Sequence, residues 1–403
     1  MKIVIFDINR LSFEGGAEKY LSEVGKTFEE KGDEVFFVGD CRPVLKLFIW
    51  GSFFLSVNSL WKLPKLFGDF KKVPSLNKSS LKDISFFPLK LQSLIPFSPE
   101  RKKIRHFLNQ ADMILIKNEV FEVLFFWLLR IKNKNRYAII FSSLKYPFPD
   151  SFRAKVHNLI YLGKFYNFLV KKIGKVIVSN REDEKYFAQK VKIETKNIFY
   201  IPYGLDKSYF IKPGELKNTS GFRILFVGRM EEQKGIIYLK QIIENINKDK
   251  KLKNVSFTII GSGPLEEIPR QLAEKYSNVE YKGQLFPEEV RKCYLGSDLV
   301  IITSKWETFS YVCLEAQACG CPVVAFDISG PKDIISEETG KLVLLGDIFE
   351  LQKKIYYYVN DKKKSPVSYL KKRMLISDST FLRFSILSTC EFLKTAVLSR
   401  NSG

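Results

Sequence analysis

A chain of 403 residues is too long for one ordinary hydrophobic core and suits two domains. Its 65 Lys and Arg outnumber 44 Asp and Glu, and the net charge of +21 favours an anionic partner: nucleic acid, an acidic membrane surface or a phosphorylated substrate. Two histidines, and six cysteines with no CxxC pair, argue against a histidine metal centre, a Ser-His triad or a disulfide framework, and for buried thiols in a reducing compartment.

Lys2 to Asp7 is expected as a buried strand, with no cleavable signal peptide ahead of it. A loop through Gly15-Gly16 leads into a helix from about Ala17 to Lys31, and Glu34 to Val38 is the next strand. That βαβ unit opens a doubly wound α/β domain. Gly15 and Gly16 stand at the carboxyl end of the first strand, where a backbone without Cβ atoms can approach a phosphate or sugar, or simply turn.

From Val44 to His106 the pattern changes. Val44 to Trp61 is apolar with one lysine, and Lys and Arg interleaved with Trp, Phe and Leu follow. The apolar run is short, carries Lys46, Gly51 and Asn58, and has Pro43 and Pro64 just outside its ends, which suits an element on an anionic membrane surface better than a spanning helix. A helical pair packed on the domain edge is the other reading. No nucleic-acid module accompanies the aromatics.

Met113 to Lys117, Tyr137 to Phe141 and Lys175 to Ser179 continue the first sheet, separated by helices over Glu119 to Ile131 and Val156 to Ile173. The first domain is expected over residues 1–205, with 44–106 as the basic-aromatic insertion and 206–221 as the linker. A second domain over 222–375 repeats the pattern, and 376–403 should form a helix crossing back to the first.

Three loops converge by topology on the carboxyl edge of the second sheet. They carry Gly228-Arg229 with Lys234, the turn Gly261 to Gly263, and Glu307 ahead of a helix beginning near Phe309, Ser310 and Tyr311. Two cations beside a helix N-terminus suit a diphosphate. Glu315 lies in that helix, eight positions after Glu307, and taken singly either carboxylate could be a cap or a solvated residue.

These motifs resemble the retaining glycosyltransferases of the GT-B class, family four. The matches are Gly15-Gly16-Ala17-Glu18, Gly228-Arg229 with Lys234-Gly235, Gly261-Ser262-Gly263, Ile201-Pro202-Tyr203-Gly204, and the Glu-x7-Glu pair Glu307 and Glu315. The resemblance implies two Rossmann-like domains facing a cleft. It also implies sugar transfer from a nucleotide diphosphate-sugar, such as a UDP- or GDP-sugar; the basic-aromatic stretch 44–106 points to a glycan or lipid-linked acceptor, and with no Asp-x-Asp pair in the chain no metal and no cofactor is expected. Arg229 and Lys234 would hold the diphosphate, Glu307 would face the sugar, and Glu315 would accept bonds from the ribose. Backbone N–H groups at Phe309, Ser310 and Tyr311 would bind phosphate or sugar hydroxyls, and Gly15, Gly16, Gly228 and Gly261 would line the substrate site.

Two departures bear on which sugar is held: Ser142-Ser143 stand where many members have a histidine, and Ser329-Gly330-Pro331-Lys332-Asp333 replaces Gly-Gly-x-x-Glu. The expected setting is cytoplasmic and peripheral to a membrane, with no nucleic acid bound. An epimerase or hydrolase of the same fold, or a non-catalytic membrane- or nucleic-acid-binding protein, remains the alternative.

Overall fold

The computed structural model describes residues 1–6, 16–39, 85–88, 99–117, 119–139, 152–212, 214–216 and 220–398. Seven short strands form the first sheet: β1 (Lys2–Phe6), β2 (Glu34–Gly39), β3 (Ser85–Pro88), β4 (Met113–Lys117), β5 (Arg136–Ile139), β6 (Lys175–Val178) and β7 (Ile198–Tyr200). Their spatial order is β3-β2-β1-β4-β5-β6-β7. The second sheet contains β8 (Phe222–Val227), β9 (Val255–Ile260), β10 (Val279–Gly283), β11 (Leu299–Ile302), β12 (Val323–Phe326) and β13 (Gly340–Val343). They run in the order β10-β9-β8-β11-β12-β13.

The pairings in both sheets are parallel, as Ile3 against Val35 and Val300 against Val323 illustrate. Helices cover both faces of such a sheet, so its strands read as unbroken apolar runs. Ile3 to Phe6, Met113 to Ile116 and Val323 to Phe326 are accordingly fully buried. The architecture is the expected one: two Rossmann-like α/β lobes. One apolar cluster joins them, running from Ile3 and Leu21 through Tyr203, Leu205 and Phe210 to Leu314, Val323 and Ile386.

Three details differ from the pattern of the sequence. The helix expected over Val156 to Ile173 is two helices, Phe152–Tyr161 and Lys164–Ile173. The chain turns extended at Gly163, where a Cβ would stand 2.7 Å from the Leu159 carbonyl oxygen. Within 206–221, Phe210 is buried, and the Arg291 guanidinium donates to the Phe210 carbonyl at 2.9 Å and pairs with Glu215 at 2.7 Å. Within 44–106, Ser85–Pro88 adds to the sheet beside β2 and Pro99–Asn109 is a helix, so both pieces belong to the α/β framework. The rest of that stretch, 44–84 and 89–98, lies outside the described residues.

At the other end, Pro366–Phe384 and Ile386–Leu398 are successive helices broken at Ser385. The break lets the Leu205 N–H reach the Phe384 carbonyl at 2.8 Å and the Ile386 N–H reach the Leu205 carbonyl at 3.0 Å. The last helix then lies against the first lobe, with Lys394 on Asp33 at 2.6 Å and Lys31 on Glu391 at 3.1 Å. Among the described residues no helix is long and apolar enough to cross a membrane.

Candidate active site

In an open parallel sheet the crevice forms where the strand order reverses, outside the carboxyl ends. In the second sheet that point lies between β8 and β11. The loops after these two strands carry Arg229, Lys234 and Glu307. The two loops are stitched together: the Lys305 N–H donates to the Gln233 carbonyl at 2.8 Å, Gln233 Nε2 to the Trp306 carbonyl at 3.1 Å, and Thr303 Oγ1 to the Lys234 carbonyl at 2.9 Å. Gly235 makes this possible, since it turns with φ of 66° and a Cβ there would meet the Thr303 carbonyl oxygen at 1.9 Å.

The result is a close ion pair. Lys234 Nζ lies 2.6 Å from Glu307 Oε1, with side-chain exposures of 15% and 10%, and Ser304 Oγ donates to the same oxygen at 2.8 Å. Charges this far from water must be compensated, and each holds the other. Arg229 is brought to the same loop but not into that pair. Its side chain is 68% exposed, pairs with Glu231 at 2.8 Å and reaches Gln233 Oε1 at 3.3 Å.

The next loop, after β9, closes the other flank. Gly228 donates its N–H to the Ile260 carbonyl at 3.0 Å, and Gly261, with φ of 131°, leaves room for the Gly228 carbonyl where a Cβ would come within 1.8 Å. Gly228 and Gly261 thus pack backbone on backbone.

Beyond Glu307 the helix Tyr311–Ala318 begins from Ser310, held in the left-handed region at φ of 71°. The Cys313 and Leu314 N–H groups return to the Ser310 carbonyl at 3.1 and 3.3 Å, so the earlier N–H groups of the turn have no carbonyl inside the helix to serve. Two enclosed hydroxyls at this helix start, Ser310 Oγ and Tyr311 Oη, have no hydrogen-bond partner among the described residues. Burial drives the Tyr311 phenol well above its ordinary pKa, so it is a neutral donor. Phe309 is a buried brace, edge-on to Tyr203 at 4.8 Å between ring centroids. One helical turn on, Glu315 receives a bond from Tyr294 Oη at 3.1 Å, so the two glutamates take different partners.

The facing lobe supplies groups that the sequence did not single out. Tyr203 stacks on Tyr311 at 5.7 Å with rings 12° apart, and Tyr20 packs on Tyr203 at 4.7 Å. The Arg181 N–H, just after β6, donates to Asp333 Oδ2 at 2.9 Å, so Asp333 ties the lobes together. Burial raises the pKa of Asp333 and pushes that of nearby Asp183 up to about 7. Tyr203 was visible within the Ile201-Pro202-Tyr203-Gly204 motif, but stacking across lobes leaves no local signal. Gly16 opens the helix Gly16–Glu30 in the first lobe, while Gly15 and Ser142-Ser143 lie outside the described residues. Among the described residues no group of three His, Cys, Asp or Glu could hold a metal.

Comparison with known proteins agrees with this fold. Residues 209–372 match the family described as glycosyl transferases group 1. An uncharacterised 41.2 kDa protein in the cps region of Klebsiella pneumoniae is 26% identical over 67% of this chain and 76% of its own length. The Escherichia coli UDP-Gal:alpha-D-GlcNAc-diphosphoundecaprenol alpha-1,3-galactosyltransferase is 25% identical over 48% of this chain, and the match spans 54% of that enzyme. Anabaena HepE, in its crystal structure with UDP, superposes with a TM-score of 0.66 over 99% of this chain and all of its own, at 16% identity. The fold is the two-lobed GT-B architecture. The match to the family described as glycosyl transferases group 1 falls on its second lobe.

Proposed function

We propose that the protein is a retaining glycosyltransferase that moves a sugar from a nucleotide diphosphate-sugar, a UDP- or GDP-sugar, to a hydroxyl of a lipid-linked glycan, without a metal and at the cytoplasmic face of a membrane. The observation that carries this reading is the Lys234–Glu307 pair at 2.6 Å beside the start of the helix Tyr311–Ala318. A diphosphate entering there offers Lys234 and Arg229 an anion, and the free N–H groups at Phe309, Ser310 and Tyr311 a set of acceptors. Glu307, released from its lysine, is then free to receive hydroxyls of the donor sugar. Glu315 takes the ribose.

In the reaction the bond from the anomeric carbon to the phosphate oxygen breaks and a bond to the acceptor oxygen forms on the same face. The departing diphosphate accepts the acceptor's proton, so no separate base is needed. Arg229 and Lys234 stabilise the charge that develops on the leaving group, the kind of preorganised contact whose removal costs about 10²–10³ in rate. The relatives support the choice of substrates. HepE has been crystallised with UDP and with UDP-glucose, and the E. coli relative is named for a diphosphoundecaprenol-linked acceptor.

The test is a thermal-shift panel of nucleotide diphosphates and their sugars, followed by product analysis with a lipid-linked acceptor. A UDP- or GDP-sugar should raise the melting midpoint and yield a glycoside with retained anomeric configuration. Free sugar or an epimer alone would assign a hydrolase or epimerase instead, and no shift with any nucleotide would overturn the reading.

A further inference from the structure

We propose that the first lobe docks on an anionic lipid bilayer through the outer face of the helices Phe152–Tyr161 and Lys164–Ile173 together with the end of Val120–Leu129. The helix Lys164–Ile173 buries Tyr166, Leu169, Val170 and Ile173. Its outward residues are Lys164, Phe165, Phe168, Lys171 and Lys172, all exposed. These positions fall on one side of a 3.6-residue helix. A solvated helix face is ordinarily polar throughout, whereas phenylalanines between lysines are the pattern of a helix lying in a lipid interface.

The neighbouring elements extend the same surface. Trp127, itself exposed, packs edge-on to Phe168 at 6.2 Å, and Lys172 Nζ sits 5.4 Å from that ring's centre. The Arg101 guanidinium donates to the Leu128 carbonyl. Leu159 is 77% exposed and Ile160 40% exposed at the turn into Lys164.

Charge selects the occupant. From Val123 to Gly174 the sequence holds ten Lys and Arg against one acid, Asp150. A second copy of this chain would bring the same positive face and be repelled. Nucleic acid would suit the charges and could stack on Phe165, Phe168 and Trp127, but it would leave the exposed aliphatic side chains of Leu159 and Ile160 without an apolar partner. An anionic bilayer satisfies both, lipid headgroups meeting the lysines and acyl chains the apolar side chains.

The placement also fits the chemistry. Tyr161 Oη donates to Glu119 Oε2 at 2.6 Å, and Glu119 follows the carboxyl end of β4. The Leu159–Phe165 end of the strip therefore lies near the sheet edge that faces the second lobe, where a lipid-linked acceptor would be delivered. The choice of partner rests on the proposed acceptor, but the measurement below needs no turnover.

Sedimentation of the full chain with vesicles of equal parts phosphatidylglycerol and phosphatidylcholine should show binding that weakens with salt and is absent with phosphatidylcholine alone. Leu159→Glu with Phe165→Glu should lower the partition coefficient by about a hundred-fold, and each of Lys164→Ala, Lys171→Ala and Lys172→Ala by about five-fold. Leu344→Glu and Phe349→Glu, at exposed apolar positions of the second lobe, should leave it unchanged. Melting midpoints and donor binding should be those of wild type in every variant, so a failure of the enzyme assignment shows in donor binding and not in vesicle partition. Absent wild-type binding, an unchanged double variant, equal losses in the second-lobe controls, or loss of single-stranded DNA binding in place of vesicle binding would each overturn the proposal.

Discussion

Strand β11 has a lysine–carboxylate pair at each end, and the two differ in how completely they are closed. At its amino end Lys362 Nζ meets Asp298 Oδ1 at 2.8 Å and the Gly221 carbonyl at 2.9 Å, while the other Asp298 oxygen takes the Arg223 N–H at 2.9 Å. At its carboxyl end Lys234 Nζ has Glu307 as its one hydrogen-bond partner among the described residues. An ammonium has three donors. The first pair is therefore spent on holding Lys362–Asp298 and the strand ends in place. The second keeps capacity for an incoming anion. In the function proposed above, pairs of one chemistry serve stability or reactivity according to which end of a parallel strand they occupy, because only the carboxyl end opens on the crevice.

The sharpest way to break this contrast is to remove one lysine at a time. Lys362→Ala leaves the buried Asp298 carboxylate with only Arg373, 4.0 Å away, as a cationic partner among the described residues and should cost about 3 kcal/mol of folding stability, read by denaturant unfolding. The fraction that still folds should turn over at the wild-type rate. Lys234→Ala should reverse the pattern. Turnover falls by about 10²–10³, with a smaller change in unfolding midpoint, because Ser304 still bonds Glu307. Arg229→Ala, at an exposed side chain, should lose as much turnover with no measurable change in stability. If Lys362→Ala abolished turnover in fully folded protein, or Lys234→Ala left it intact, the division between the two ends would fail.

Within the site, Glu307→Gln should nearly abolish transfer while Glu315→Ala chiefly weakens donor binding, by about ten-fold, since it loses a ribose contact of one charge-assisted hydrogen bond. A calorimetric titration with the donor nucleotide, set beside initial rates, separates the two effects.

How far the sequence could be read follows from the range of the forces involved. Apolar runs flanked by glycines and helix periodicity are local, so the alternation of strands and helices and the convergence of Arg229, Lys234 and Glu307 on one sheet edge were legible. The break at Gly163 was not, because the apolar positions on either side keep a helical spacing. Nor were the stacking of Tyr203 on Tyr311 or the bond from Arg181 to Asp333, which join residues more than a hundred positions apart. The basic-aromatic character of the first lobe was legible as composition. That reading fell on residues 44–106, most of which lie outside the described residues, whereas the exposed Phe165, Phe168 and lysines of Lys164–Ile173 were not singled out, because telling the outer face from the inner needed the burial of the opposite side to be known.

The contact between lobes gives the smallest and most specific effect, a dependence on pH. Asp183 sits in the helix Arg181–Tyr186, accepting from Asn180 Nδ2 at 2.8 Å, with Glu182 and Asp333 as acidic neighbours. Burial pushes its pKa from an ordinary 3.8 up to about 7 in the folded protein. Between these values the unfolded chain has released a proton that the native state retains, so the unfolded state binds fewer protons and stability falls as pH rises. The loss should develop from about pH 4 and be complete above about pH 7. Asp183→Asn keeps an acceptor for Asn180 and carries no charge to bury, so it should flatten the profile, with a gain in melting midpoint over wild type that is larger at pH 8 than at pH 5. A wild-type midpoint that climbs between pH 5 and pH 8, with Asp183→Asn climbing in parallel, would show that this carboxyl is ionised and solvated in the native contact.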